Sequence, residues 1–209
     1  MEELLSDDEA RLVLKRILSL YPDAKGELNW DTKFHLLCAV LMSAQTTDKM
    51  VNRTTPKFFK DYPDSATLAQ ANIEDIENHI RTIGLYRTKA KHLKETAQII
   101  TEKFDGQIPK DKKILMTLPG VGEKTANVVL AEGFKVPAIA VDTHVSRISK
   151  RFNIVSAKAT PHEVEKRLEE LLPKEEWIHT HHALISFGRS TMPARPKAQH
   201  PYSSLPPFT

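Results

Sequence analysis

Between Lys112 and Phe134 the chain reads KKILMTLPGVGEKTANVVLAEGF, and two features of that stretch could do chemistry: a primary amine, Lys124, and a glycine-bearing turn just ahead of it. Pro119 bars a preceding helix from continuing, while Gly120 and Gly122 permit backbone angles and close approaches that a side chain would block. The spacing predicts helix, tight loop, helix, with Ala126, Val129 and Leu130 on one face of the second helix. The amides of Gly120 and Gly122, at the positive end of that helix, make a seat for one phosphate. Eighteen residues beyond Lys124, Val141-Asp142-Thr143-His144 opens a further helix, with Asp142 placed as cap and His144 in the first turn. An amine and a carboxylate that converge are the parts of nucleophilic and acid–base catalysis. Each also has a plainer reading: Lys124 as a phosphate-binding or solvated side chain, Asp142 as a cap, and the loop as an ordinary turn between helices.

Two nucleotide-binding readings fail on spacing. A P-loop needs glycine directly before lysine and a strand in front, whereas Glu123 separates Gly122 from Lys124 and a helical segment precedes. A dinucleotide fingerprint needs a third glycine where Thr125 stands. Three histidines, His179, His181 and His182, raise a metal, but the HExxH pattern is absent and no acidic partner is evident, so they read as structural or near-ligand groups and no metal site is expected.

The elements that must position these groups are helices. Ala10, Val13, Leu14, Ile17, Leu18 and Tyr21 repeat at three and four behind a capping box of Ser6 and Glu9. A second stripe, Ile73, Ile76, Ile80 and Ile83, stops at Gly84, and a third, Ala90, Leu93, Ala97, Ile100 and Phe104, stops before Gly106. Thr160, Pro161 and Glu163 start another helix carrying Val164, Leu168, Leu171 and Leu172. No pair of alternating runs is joined by a hairpin signal, so the fold class is all-α. Pro193, Pro196, Pro201, Pro206 and Pro207 crowd the end, which cannot be helical throughout.

Composition narrows the function. The 209 residues carry 30 basic and 27 acidic side chains and are 40% hydrophobic. A folded chain of that length buries roughly 70% of its unfolded surface. Its one cysteine, Cys38, reads as a core residue and rules out a disulfide framework, a cysteine-rich zinc site and a cluster held by four thiolates. The acidic start is unlike a signal or transit peptide, and the longest apolar run, Leu36 to Ala44, is too short to cross a bilayer. A cytoplasmic protein is expected, nucleoid-associated in a prokaryote. Residues 1–31 hold four basic and eight acidic groups, leaving +7 for the rest, and Arg87, Lys89, Lys91 and Lys94 fall within eight residues. That pattern suits a polyanion on one face, or a solvated helix face.

Leu118 to Leu130 (LPGVGEKTANVVL) and Ala140 to His144 (AVDTH) resemble the helix-hairpin-helix and catalytic segments of the endonuclease III family, bifunctional DNA glycosylases and apurinic/apyrimidinic lyases. Leu41 to Asp48 (LMSAQTTD), Thr82 to Tyr86 (TIGLY) and His181 to Arg189 (HHALISFGR) resemble further segments of that family in the same order, so the likeness runs from about residue 10 to about 191. It implies two all-helical domains with a DNA site in the cleft between them. Residues 24–136 would form a six-helix domain with the hairpin, and 1–23 with 137–209 a discontinuous domain carrying Asp142.

What else the resemblance implies is specific. Lys124 would attack C1′ of a damaged nucleotide, expel the base and form a Schiff base, from which β-elimination cuts the strand. Asp142 would supply the catalytic carboxylate. Gln45 and Leu85 would enter the duplex where the nucleotide leaves it, and Gly120, Val121, Gly122, Thr143 and His144 would complete the DNA-binding set. Arg87, Lys89 and Lys91, just beyond Leu85, are placed by their charge to contact phosphates. The expected function is base-excision repair of oxidised pyrimidines by a monomer acting on double-stranded DNA with a damaged base or abasic site, and no membrane is involved. The alternatives are a relative for another lesion, mismatch or pyrimidine dimer, and a non-catalytic helix-hairpin-helix DNA-binding module. The family's [4Fe–4S] cluster is not expected: its C-x6-C-x2-C-x5-C positions are Met192, Gln199, Tyr202 and Phe208. Tyr202 and Phe208 would anchor the tail instead, and no cofactor is needed.

Overall fold

The structure is a computed structural model and describes residues 3–194. Every regular element among them is helical, so the class is all-α. The chain divides into two compact units, one of residues 27–136 and one built from the described residues on either side.

In the unit of residues 27–136, α2 (Lys33–Ser43) is capped by Thr32, whose side chain accepts from the His35 amide. Every residue from Phe34 to Met42 is buried. A helix that is apolar all round must be surrounded, and α3 (Asp48–Asp61), α6 (Tyr86–Phe104), α8 (Glu123–Val128) and a π-helical turn, Val129–Gly133, pack on it. His35, the one polar ring in α2, lies between the Asp31 carboxylate and the Pro63 carbonyl and stacks on Phe59. Its hydrogen bond holds the Asp31 carboxyl below the usual range. The short helices α4 (Ser65–Gln70) and α5 (Ile73–His79) pack on α6, and α7 (Lys112–Leu115) leads to α8.

The isoleucine stripe that pointed to one helix up to Gly84 is shorter than read. The helix closes at His79, where Ile80 leaves helical angles, and Ile83 then donates its amide to the Ile80 carbonyl. Both isoleucines are buried from turns. Burial alone set the apolar spacing there, and a turn that drops into the core meets it as well as a helix does.

The second unit contains α1 (Asp7–Leu20), α9 (Thr143–Arg151), α10 (Pro161–Leu171) and α11 (Trp177–Ser190). The Ser6–Glu9 and Thr160–Glu163 capping boxes both form, and Pro161 occupies the first helical position. Its core joins Leu14 and Ile17 of α1 to Val145 and Ile148 of α9, Leu168 of α10, and Leu184 and Phe187 of α11. His179 binds the Tyr21 carbonyl through Nε2, and the rings of His181 and His182 are buried and adjacent. No helix among the described residues is long and apolar enough to cross a membrane.

The end of α11 is held by Arg147 from α9. Its guanidinium donates to the Gly188 carbonyl at 3.0 Å and the Met192 carbonyl at 2.5 Å. Met192 is fully buried in this unit's core. Gln199, Tyr202 and Phe208 lie outside the described residues, and so does the tail anchoring expected of the two aromatics.

Truncating a buried methionine removes its transfer energy and leaves a cavity, so Met192→Ala should cost about 2–5 kcal/mol. Met192→Leu conserves volume and should cost less than about 1.5 kcal/mol. Denaturant melts of the two variants check this. Equal, negligible losses would mean that Met192 does not anchor the end of α11.

Candidate functional site

The turn before α8 is set by packing on both of its sides. Leu118 and Val121 are buried, and Thr96 of α6 donates to the Pro119 carbonyl at 3.2 Å. Gly120 has a φ of +76°, and a Cβ on it would lie 2.6 Å from Nδ1 of His92 and 3.2 Å from a methyl of Leu41. Only glycine combines that backbone angle with that approach. Gly122 is different: it caps α8 with an extended backbone, and a Cβ there would meet nothing within 4 Å. Its outward side is open, and amides of the first helical turn have no partner in their own helix.

Val121 departs from the reading made of it. Its side chain is buried and its amide donates to the Leu118 carbonyl at 3.1 Å, so neither is free to meet a ligand. Lys124, at the second position of α8, is exposed. Its neighbour Glu123 is paired with Lys112 at 3.0 Å, which ties α7 to α8 beside the amine.

Gln45 and Leu85 sit in two other loops of the same unit, and both take the left-handed conformation, with φ of 55° and 58°. Leu85 is the N-cap of α6 and is 61% exposed. Arg87 and Lys91 also face solvent, at 76% and 69% side-chain exposure, with Glu77 and Glu95 at 3.9 and 3.8 Å. Lys89 corrects the expectation of a phosphate contact. It is buried, and its ammonium donates to the carbonyls of Met42 and Ala44 and to Oγ1 of Thr46. Its position was legible: residues 89, 93, 96, 97 and 100 are all buried and recur at helical spacing. A charge count placed it with its exposed neighbours instead.

In the other unit Asp142 is the N-cap of α9, and its Oδ1 accepts from the Val145 amide at 2.8 Å. One carboxylate oxygen is occupied by the helix, as capping requires, and the half-buried side chain keeps a second. Thr143 is exposed. His144 Nδ1 faces Arg147 Nη2 at 3.1 Å, which makes Nδ1 an acceptor and puts the ring proton on Nε2. Gly188 makes room for that ring, since a Cβ on it would lie 2.8 Å from Nδ1. Arg147, which the sequence reading passed over, thus orients His144 while holding the end of α11.

Comparison with known proteins agrees with these segments. The profile of the HhH-GPD superfamily, base excision DNA repair proteins, matches residues 38–174. Endonuclease III of Bacillus subtilis is 45% identical over 186 residues, 89% of this chain and 85% of that protein. Endonuclease III of Escherichia coli K12 is 41% identical over 183 residues, covering 88% and 86%. The solved structure of a trapped endonuclease III–DNA covalent intermediate matches with a TM-score of 0.91 at 44% identity, over 93% of this chain and 92% of that one. A non-covalent endonuclease III–DNA complex matches at 0.90, also at 44% identity, over 93% and 91%. A thermostable thymine-DNA glycosylase, 23% identical with a TM-score of 0.81, shares the fold.

The two glycines of the turn should separate in a stability measurement. Gly120→Ala places a Cβ against His92 at a positive φ and should cost more than about 1 kcal/mol. Gly122→Ser puts a favourable capping residue into open space and should change stability by less than about 0.5 kcal/mol. Thermal melts that ranked the two the other way round would contradict this account of the turn.

Proposed function

The chain belongs to the HhH-GPD superfamily of base excision DNA repair proteins, as an endonuclease III homologue with DNA glycosylase and abasic-site lyase activity, and on that premise we propose that it acts on oxidised pyrimidines in duplex DNA through Lys124. The observation that carries this reading is an exposed primary amine in the first turn of α8, two residues beyond a glycine whose outward side is open. A phosphate seated at Gly122 fixes the strand, and the lysine reaches a sugar close by.

The chemistry follows from an amine as nucleophile. Lys124 Nζ attacks C1′ as the glycosidic bond breaks and the base leaves with a proton, giving an imine once the sugar ring opens. Loss of a proton from C2′ then expels the 3′ phosphate, so a single amine serves both base removal and strand cleavage. Asp142, with one oxygen engaged by the helix and one remaining, stabilises the positive charge that develops at C1′ and assists proton transfer. Reaching C1′ requires the nucleotide to leave the stack. Gln45 and Leu85 fill the space it vacates, and the exposed Arg87 and Lys91 meet phosphates.

The donor set does not fit a [4Fe–4S] cluster. Cys38 is the one thiol in the sequence, it is buried in α2, and burial pushes it well above the usual thiol range. At the first ligand position of the spacing stands the buried thioether of Met192. We read the chain as cluster-free and cofactor-free, and as a monomer on its DNA.

Borohydride trapping tests the nucleophile. The protein should crosslink to DNA with an abasic site or an oxidised pyrimidine, and Lys124→Gln should abolish the adduct while keeping affinity for the duplex. An undiminished adduct in that variant would place the nucleophile elsewhere, and no adduct in the wild type would leave a DNA-binding module. Asp142→Asn retains a good cap, so the fold should persist while excision falls by about 10²–10³-fold. Duplexes with single defined lesions decide the substrate: oxidised pyrimidines should be released faster than a mismatched thymine or a pyrimidine dimer.

A further inference from the structure

Two residues with bulky or flexible side chains are held in the left-handed region, Gln45 in the loop after α2 and Leu85 at the start of α6. Such a conformation is unfavourable for them and persists only where the surroundings over-determine it. The other non-glycine residues with positive φ are Asp105, Lys135 and Asn153, each just past the end of a helical stretch, where that conformation is common. Gln45 also follows a helix end, that of α2, whereas Leu85 opens a helix, where a left-handed residue is unusual; both are exposed.

Their loops share one support. Lys89, four residues into α6, lies 6% exposed and sends its ammonium to the Met42 carbonyl at 2.8 Å, the Ala44 carbonyl at 2.6 Å and Thr46 Oγ1 at 3.1 Å. An ammonium has three N–H donors, and here three acceptors receive them. Two are carbonyls at the C-terminal end of α2, which lack partners in their own helix, and the third lies directly after Gln45. The loops also touch: a Cβ on Gly84 would lie 3.4 Å from the Gln45 carbonyl and 3.6 Å from Thr46 Oγ1. Burial lowers the pKa of this amine, as desolvation of a cation must, so the site carries a cost that a surface lysine avoids.

We propose that Lys89 is a positioning residue that binds the loops of Gln45 and Leu85 into one preformed wedge, ready to occupy the duplex as a nucleotide leaves it. The proposal rests on the reading that Gln45 and Leu85 enter the duplex. A preformed wedge supplies its ordering before DNA arrives, so it lowers the cost of extruding a paired nucleotide and matters little where the nucleotide is already unpaired.

The test compares single-turnover excision of one oxidised pyrimidine placed opposite its pairing base and opposite an abasic gap. Lys89→Met keeps the stem and removes all three hydrogen bonds of the ammonium. It should slow the paired substrate by about 10- to 100-fold and the unpaired one by less than about threefold. Thr46→Val removes one acceptor with little change of shape and should shift the same ratio by about three- to tenfold, while Thr46→Ser should restore it. Thr46→Val decides the matter if Lys89→Met does not fold. Gln45→Ala and Leu85→Ala run alongside. A paired-to-unpaired ratio unmoved by those two would overturn the wedge reading itself. A ratio moved by them but not by Lys89→Met or Thr46→Val would leave that reading standing and overturn the role of Lys89, as would equal slowing of both substrates.

Discussion

The close approach at Gly120 governs the unit that carries Lys124. With a φ of +76° and no Cβ, the turn lies against His92 of α6 and Leu41 of α2, and Thr96 fastens the Pro119 carbonyl in the same place. Val121 then turns into the core, which obliges Gly122 to turn out. From that point α8 starts in one direction only, and Lys124 follows two residues later on its outer side. The amine is therefore placed by backbone packed on two core helices rather than by contacts of its own, which leaves it free for the attack proposed for it.

Cations in this chain divide into two kinds of work. Arg87, Lys91 and Lys124 face solvent, where the proposed function has them meet the DNA. Lys89 and Arg147 face inward and bind the backbone carbonyls that end α2 and α11. Each of the inward pair steadies a neighbour, Lys89 the loop of Gln45 in one unit and Arg147 the ring of His144 in the other. Substituting an outward cation alters what the protein attracts, whereas substituting an inward one alters the shape that it presents.

Much of this was legible before any coordinates. Capping boxes at Ser6 and Thr160 mark helix starts through local chemistry alone, and the stripes of α1 and α10 name their buried faces correctly. Asp142 was readable as a cap for the same reason. What could not be read depends on partners distant in sequence. The carbonyls that receive Lys89 are more than forty residues away, and nothing near Gly120 announces His92. The isoleucine series after Ile73 misled because periodicity reports burial, which turns at Ile80 and Ile83 satisfy too. Val121, counted in the DNA-binding set, fills the core instead.

Met192, with Phe187 before it and Arg147 across from it, closes the end of α11. On the cluster-free reading, maturation of that unit is a one-component process: no inorganic part has to be built elsewhere and delivered before packing is complete. A cell short of iron, or with its sulfur-transfer machinery damaged by oxidants, would still fill its complement of this enzyme. The supply of active protein would then track translation alone.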